Sequence, residues 1–527
     1  MTRLRIPGLF RDLTEPDEVL RLRAAERIGV DPANLRDVEL VKRSLDARRK
    51  PRFVCTVDVT LDGAPRRLGA DITEAPSAED LAPRQFTPRR KERVVVVGAG
   101  PGGLFCAYRL ACAGLSPILL DRGKPVEGRA LDVSGLMHRG ELDPDSNICF
   151  GEGGAGTWSD GKLYTRVSDV RVRHVLETIV ALGGPPHILV EGKPHLGTDR
   201  LVALCKAFRA ELVERGCEVR FGSFVSDLHL VDGAVRGVVL GDGERIDADR
   251  VVLAVGHSAR EMYEWLAHRG VAMEAKPFAV GFRVEHRQRL IDEMQYGDWV
   301  DEPGLPTADY RLAMNYGEGS QHRGVYSFCM CPGGQVVPSP TEPWGICVNG
   351  MSHASRKGHW ANSALVVSVK PSDFGDGLLA GVDFQRDAER RAYELGGGGY
   401  IAPAQRLTEF VEGREPTDVR KTTYKPGIAP ADLARCYPEF VTDLLRDAVR
   451  GFDRTMPGFL TDDALLIGVE TRTNAPVHVT RDDATLQSLS LEGLYPCGEG
   501  AGYGGGIVSA AVDGLRIAER ILTEVSS

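Results

Sequence analysis

The sequence predicts an α/β protein: a doubly wound dinucleotide-binding domain split into two parts, an α+β domain inserted between them, and a smaller α+β domain ahead. Three observations carry this. Residues 93–97 form an apolar-rich strand that runs straight into Gly98-Ala99-Gly100-Pro101-Gly102-Gly103 and then a helix to about Ala113. A second strand, 117–120, ends at Asp121, eighteen residues past Gly103. The chain returns at 494–506 to a strand and glycine loop, followed by an apolar-faced helix over 507–522. The expected division is 1–88 for the small leading domain, 89–275 for the first part of the dinucleotide domain, 276–463 for a substrate or cap domain, and 464–527 for the second part.

In the leading domain, 15–28 reads as a helix with Thr14 as N-cap and Leu20, Leu22, Ala25 and Ile28 as buried positions. Residues 38–46 read as a strand or short helix, and 52–61 alternate as a strand through Phe53, Cys55, Val57 and Val59. The Arg48-Arg49-Lys50 run reads as a solvated face, and polar, Pro-containing 74–91 as a linker. Further on, 169–182 and 198–215 are helical patterns and 218–221 a strand. Residues 224–255 are short strands separated by Asp232-Gly233 and Gly241-Asp242-Gly243. The region 276–463 is mixed and rich in Gly and Pro.

Composition narrows the function classes. Among 527 residues, 65 basic side chains face 74 acidic ones, a net charge of −9, which disfavours a broad nucleic-acid surface. Eleven cysteines without a CxxC pair argue against a disulfide framework and a zinc site. The first residues lack an apolar signal core. The most apolar stretch, 94–120, is broken by glycines, Arg109 and Pro117, so no membrane span is expected and a reducing cytoplasm is the expected location.

The first fingerprint has a physical reading. Gly98 permits the tight turn, Gly100 leaves room for a pyrophosphate, Gly103 lets helix and strand pack, and the helix N-terminus after Pro101 and Gly102 attracts anions. Asp121, followed by Arg122, is placed to accept ribose hydroxyls. Fingerprints of this kind serve NAD and FAD alike. The 494–506 segment, with Gly498 and Glu499 ahead of the last helix, resembles the second FAD motif of glutathione-reductase-type flavoproteins. That resemblance implies Glu499 near the ribityl or pyrophosphate region and the amides of Gly505, Gly506 and Ile507 at the flavin N1–C2=O edge. Residues 248–256, ending in Gly256, resemble the strand-to-loop motif of the same proteins, and FAD is the expected cofactor.

The strings at 151–163, 256–260, 328–334, 350–352, 396–405, 470–473 and 498–514 resemble the FAD-dependent dehydrogenase family of bacteria and plants. The resemblance runs over nearly the whole chain. It implies a Rossmann-type FAD-binding domain in two parts and an inserted substrate domain, without specifying a substrate.

Within these strings Gly154 would let backbone approach a flat ring, and Lys162 would place a cation near flavin or substrate, or else form a surface ion pair. His257 is a candidate acid/base, or a hydrogen-bonding group for the adenine-side backbone. Arg472 is a candidate carboxylate clamp, with His478 beside it, and Tyr503 a cover for the ring. Cys329 and Cys331, two apart on a strand, would share a face, as a redox pair or as plain packing. The 396–399 glycine run would be a clamp or a flexible loop. The expected activity is hydride transfer between flavin N5 and a small organic substrate, with NAD(P)H as a possible transient donor. The alternatives are a flavin monooxygenase reduced by NAD(P)H and, further off, a flavin-stabilised binding or RNA-modification protein.

Overall fold

The computed structural model describes residues 2–526. A five-stranded parallel sheet forms the dinucleotide half, in the spatial order Leu494–Pro496, Arg250–Leu253, Val94–Val97, Ile118–Leu120, Glu218–Arg220. Its central strand is four valines, all buried. Val94 and Val96 pack against residues from helices Pro101–Cys112, Thr198–Glu214 and Ile507–Ser526. Val95 and Val97 face an antiparallel sheet of Val225–Val231, Ala234–Leu240 and Arg245–Asp247, together with helix Arg260–His268. Burial on both sides is why this strand is a continuous apolar run instead of an alternating one. Helices Pro101–Cys112 and Ile507–Ser526 touch at glycines: a Cβ on Gly514 would lie 2.0 Å from the Gly102 carbonyl oxygen.

The middle domain is built on a seven-stranded mixed sheet. Its spatial order is Ala313–Tyr316, Arg323–Cys331, Trp360–Val369, Phe278–Arg287, Leu465–Glu470, Ala402–Arg406, Ile428–Pro430. Leu465–Glu470 is hydrogen-bonded between Phe278–Arg287 and Ala402–Arg406, so this sheet takes up chain beyond the expected boundary at 463/464, and the return to the dinucleotide half follows Glu470. Helix Glu439–Thr455 buries Val441, Leu445, Val449 and Phe452 in a core shared with Phe282, Phe410 and Phe459.

The leading domain is an antiparallel sheet in the order Leu35–Asp46, Arg52–Leu61, Thr2–Asp12, Thr73–Glu74, covered by helix Val19–Ile28. That helix starts four residues later than the pattern suggests. Glu18, not Thr14, precedes it, because a turn closed by Glu15 N–H to the Asp12 carbonyl occupies the intervening chain. Leu20, Ala25 and Ile28 are buried, whereas Leu22 is exposed. The ambiguous 38–46 segment is a strand, and its outer edge docks on the dinucleotide half: Arg43 N–H donates to the Val190 carbonyl at 2.6 Å and Gly192 N–H to the Arg43 carbonyl at 2.8 Å. No helix among the described residues is long and apolar enough to cross a membrane.

Candidate functional site

A cavity of about 970 Å³ runs from the first glycine fingerprint to the middle sheet. The fingerprint turn forms because Gly98 adopts φ +104°, and a Cβ there would lie 2.3 Å from the Ala254 carbonyl oxygen. Gly103 packs so closely that a Cβ would meet the Gly98 oxygen at 1.9 Å. Gly100 differs. Its backbone is extended, it lines the cavity, and a Cβ would meet only the Gly154 Cα at 3.8 Å. The space beside it is open to a ligand while its neighbours are closed to side chains.

The 151–161 loop lies across this turn. Gly153 N–H donates to the Ala99 carbonyl at 2.8 Å, and a Cβ on Gly154 (φ +62°) would sit 3.0 Å from the Gly100 Cα. Arg129, fully buried, ties the loop down by donating to the carbonyls of Asn147, Ile148, Glu152 and Gly154 at 2.5–2.8 Å. Gly156 reaches Ile507 at the start of the last helix. The cavity thus gathers Pro101, Gly102, Gly154, Gly256, Gly498, Gly505, Gly506 and Ile507, the glycine-rich residues read from the sequence as cofactor ligands.

Asp121 also lines it. One carboxylate oxygen accepts from Ala99 N–H at 2.7 Å and the other from Gly123 N–H at 2.9 Å, which orients the group and leaves lone pairs for further donors. Arg122 stacks between the Phe150 and Phe224 rings, 4.3 and 4.7 Å away, and pairs with Asp145 and Glu261. Burial pushes the Glu499 carboxyl up to about 7, with Lys276 opposing. An open glycine cradle, two helix N-termini and an oriented carboxylate fit a dinucleotide cofactor.

At the middle-domain end stand Lys162, Cys329, Asn349 and Glu470. Lys162 Nζ lies 3.1 Å from Asp160, and Asp160 also accepts from Arg356 Nε at 2.9 Å and from Ser352 Oγ. Burial works against the Lys162 charge, but the Asp160 carboxylate outweighs it and holds the ammonium well above its ordinary pKa. Glu470 grips Arg283 with both oxygens, at 2.6 and 3.0 Å.

Several expected roles are corrected. Arg472 lines the cavity, but its fork belongs to buried Glu389 at 2.9 and 2.7 Å, and its remaining nitrogen donates to Thr341 at 2.8 Å. Glu389 pairs in the same way with Arg260, so Arg472 is one arm of a buried triad and not an open clamp. His257 borders the cavity beside that triad. Burial, reinforced by Arg472 and Arg260, lowers it to about 4, so at neutral pH it is a neutral imidazole with one N–H donor and one acceptor nitrogen. Tyr503 lies outside the cavity lining. Arg481 sits 3.5 Å over its ring and His478 packs against it at 4.5 Å, so neither Tyr503 nor His478 covers a ligand there. Gly396 is the last residue of helix Ala380–Gly396, and Gly397, Gly398 and Gly399 follow it with positive φ, away from the cavity lining. Cys329 adopts φ +45° at a bulge after Phe328. This breaks the regular strand alternation, yet Cys329 and Cys331 both line the cavity, and both thiols are free.

Sequence reasoning missed Arg129, Asp160 and Glu389. Asp160 sits inside a string already singled out, next to Lys162. Arg129 and Glu389 are single charges on ordinary amphipathic helices with no local signal. Among the described residues no group of three or more His, Cys, Asp or Glu is placed to hold a metal.

Comparisons with known proteins follow the same layout. A family described as FAD binding domain matches residues 93–138, one described as FAD-dependent protein, C-terminal domain-like, matches 277–473, and a domain of unknown function matches 11–60. A protein of Clostridium beijerinckii with no stated function is 40% identical over 528 residues, covering 98% of each chain. A Haloferax volcanii protein, the anaerobic glycerol-3-phosphate dehydrogenase subunit A1, is 27% identical over 36% of this chain and 40% of its own length. Among solved structures, the glycerol-3-phosphate dehydrogenase of Bacillus halodurans complexed with FAD aligns over 83% of this chain and 65% of its own, at 12% identity and TM-score 0.35. The flavin-dependent brominase Bmp2 aligns over 83% and 80%, at 13% identity and TM-score 0.36.

Proposed function

This chain belongs to the FAD-dependent oxidoreductase family, and from that premise we propose that it passes reducing equivalents between bound FAD and a small organic substrate held by the middle domain. The observation that supports this reading is the continuity of one cavity, from the Gly100 cradle past Gly154 and Ile507 to Lys162, Cys329 and Glu470 on the middle sheet.

FAD supplies the two-electron chemistry when bound. The chain's own residues divide the remaining work. Gly100 and Gly154 would leave space for the pyrophosphate, and Asp121 would accept from the ribose. The N-terminus of helix Ile507–Ser526 would lend partial positive charge to the ring's oxygen-bearing edge. Lys162, kept protonated by Asp160, places a cation at the substrate end. His257 stays neutral and forms a 2.8 Å hydrogen bond with Ser258, which makes it a positioning residue of the wall.

The test is a visible spectrum of purified, FAD-reconstituted protein, mixed anaerobically with NADH and, separately, NADPH. A flavin band bleached within seconds makes a nicotinamide the donor, and admitting O₂ then separates a reductase from a monooxygenase. A band that stays assigns reduction to the organic substrate. Protein that takes up no FAD refutes the reading.

A further inference from the structure

The middle-domain end of the cavity carries more positive than negative charge. Its carboxylates are Asp160, Asp309 and Glu470. Glu470 is matched by Arg283, and Asp309 by Lys193 at 2.8 Å. Asp160, 2% exposed, is shared by two cations, Lys162 and Arg356. One charge is therefore left over, and it is Lys162 that lines the cavity, with 19% of its side chain accessible. An ammonium has three donors, and the one carboxylate in ion-pair reach of Lys162 among the described residues is Asp160. Arg166 and Arg311 line the same end, exposed, with no carboxylate in ion-pair reach among the described residues. Cys329 is exposed on the cavity wall, and its thiol is pushed up to about 12, so it does not offset the surplus. The walls between these cations are aromatic: Tyr164, Tyr326 and Phe328. A partly desolvated surplus cation in an enclosed site attracts an anion far more strongly than one on an open surface.

We propose that the substrate is an organic carboxylate whose anionic group docks on Lys162, with its carbon body against Tyr164, Tyr326 and Phe328. This rests on reading the cavity as the substrate chamber of an FAD enzyme. Asp160 acts through Lys162: it holds the ammonium in place and, because Arg356 shares it, cannot fully neutralise it.

The test uses FAD-loaded protein titrated with acetate, benzoate and succinate, each beside its amide, while the absorbance of bound FAD is followed. At least one carboxylate is expected to perturb the band saturably and to bind about tenfold or more tighter than its amide. Lys162→Met is expected to remove that preference with FAD content unchanged, since Asp160 keeps Arg356, and Lys162→Arg to retain it. Amides binding as tightly as acids, no response to any of the three acids, or an undiminished preference in Lys162→Met would overturn the proposal. Loss of FAD from Lys162→Met would overturn it too, by assigning the cation to the cofactor. Failure of wild-type protein to load FAD refutes instead the oxidoreductase reading beneath it.

Discussion

Gly100 and Gly103 are three residues apart in one fingerprint, yet their replacement should have opposite consequences. At Gly100 the backbone has φ −77° and ψ −179°, which any residue adopts, and a Cβ meets nothing nearer than the Gly154 Cα at 3.8 Å. Gly100→Val therefore costs the empty fold about 1 kcal/mol or less, a small N-cap change set against a stiffer unfolded chain. Its side chain would fill the open space beside Gly154 proposed for the pyrophosphate. FAD supplied at a thousand times its dissociation constant stabilises wild-type protein by about 4 kcal/mol, and that increment vanishes when binding is lost. Gly103→Ala instead drives a Cβ to 1.9 Å from the Gly98 oxygen and damages the fold itself. The assay is FAD content by absorbance, with thermal unfolding measured with and without added FAD. Wild type gains several degrees from FAD. Gly100→Val starts near the wild-type apoprotein and gains nothing, and Gly103→Ala starts lower. Stoichiometric FAD in Gly100→Val would refute the assignment of the cradle.

Two further outcomes follow from buried charges. Arg472→Ala leaves Glu389 to Arg260 and Thr471 and should destabilise the fold by about 1.5–3 kcal/mol through the lost charged hydrogen bonds, read by denaturant unfolding; a change confined to KM would restore Arg472 as a substrate clamp. Glu499, raised from its ordinary 4.5 to about 7, binds its proton more tightly folded than unfolded. Apoprotein stability should fall by up to about 3 kcal/mol as pH rises from 4.5 to 7 on this group's account. Glu499→Gln should therefore be the more stable apoprotein at pH 8 and indistinguishable from wild type at pH 4, and equal stability at both would remove the shift.

What was legible in the sequence was chemistry with a short reach. The turn at Gly98, the open position at Gly100 and the carboxylate at Asp121 each follow from residues within about thirty positions of one another. Arg472 misled because an arginine just after a strand says nothing of its partner, and Glu389 lies 83 residues earlier, on helix Ala380–Gly396. Tyr503 misled in the same way: Arg481 and His478, not its loop, decide where its ring goes. The Cys329–Cys331 spacing implied a shared face only if the strand stayed regular, and a bulge is a property of pairing with Trp360–Val369. The boundary at 463 slipped because Leu465–Glu470 is apolar throughout, and only its neighbours show which sheet it joins.

The parallel sheet brings Val94–Val97 and Leu494–Pro496 to either side of Arg250–Leu253, although roughly 400 residues of chain separate them. On the ribosome this imposes a delay. At about 5–20 residues per second, the opening fingerprint waits some twenty to eighty seconds for the strand and helix that complete its core. Throughout that interval Val94, Val96, Phe105 and Leu110 lack Val508, Val512, Ile517 and Leu522, the apolar partners supplied by the final helix. The middle sheet, whose seven strands all lie within 313–316 to 465–470 and 278–287, finishes translation first. The cofactor cradle is thus assembled after the middle sheet, and a nascent chain cannot complete it before residues 494–522 have been translated.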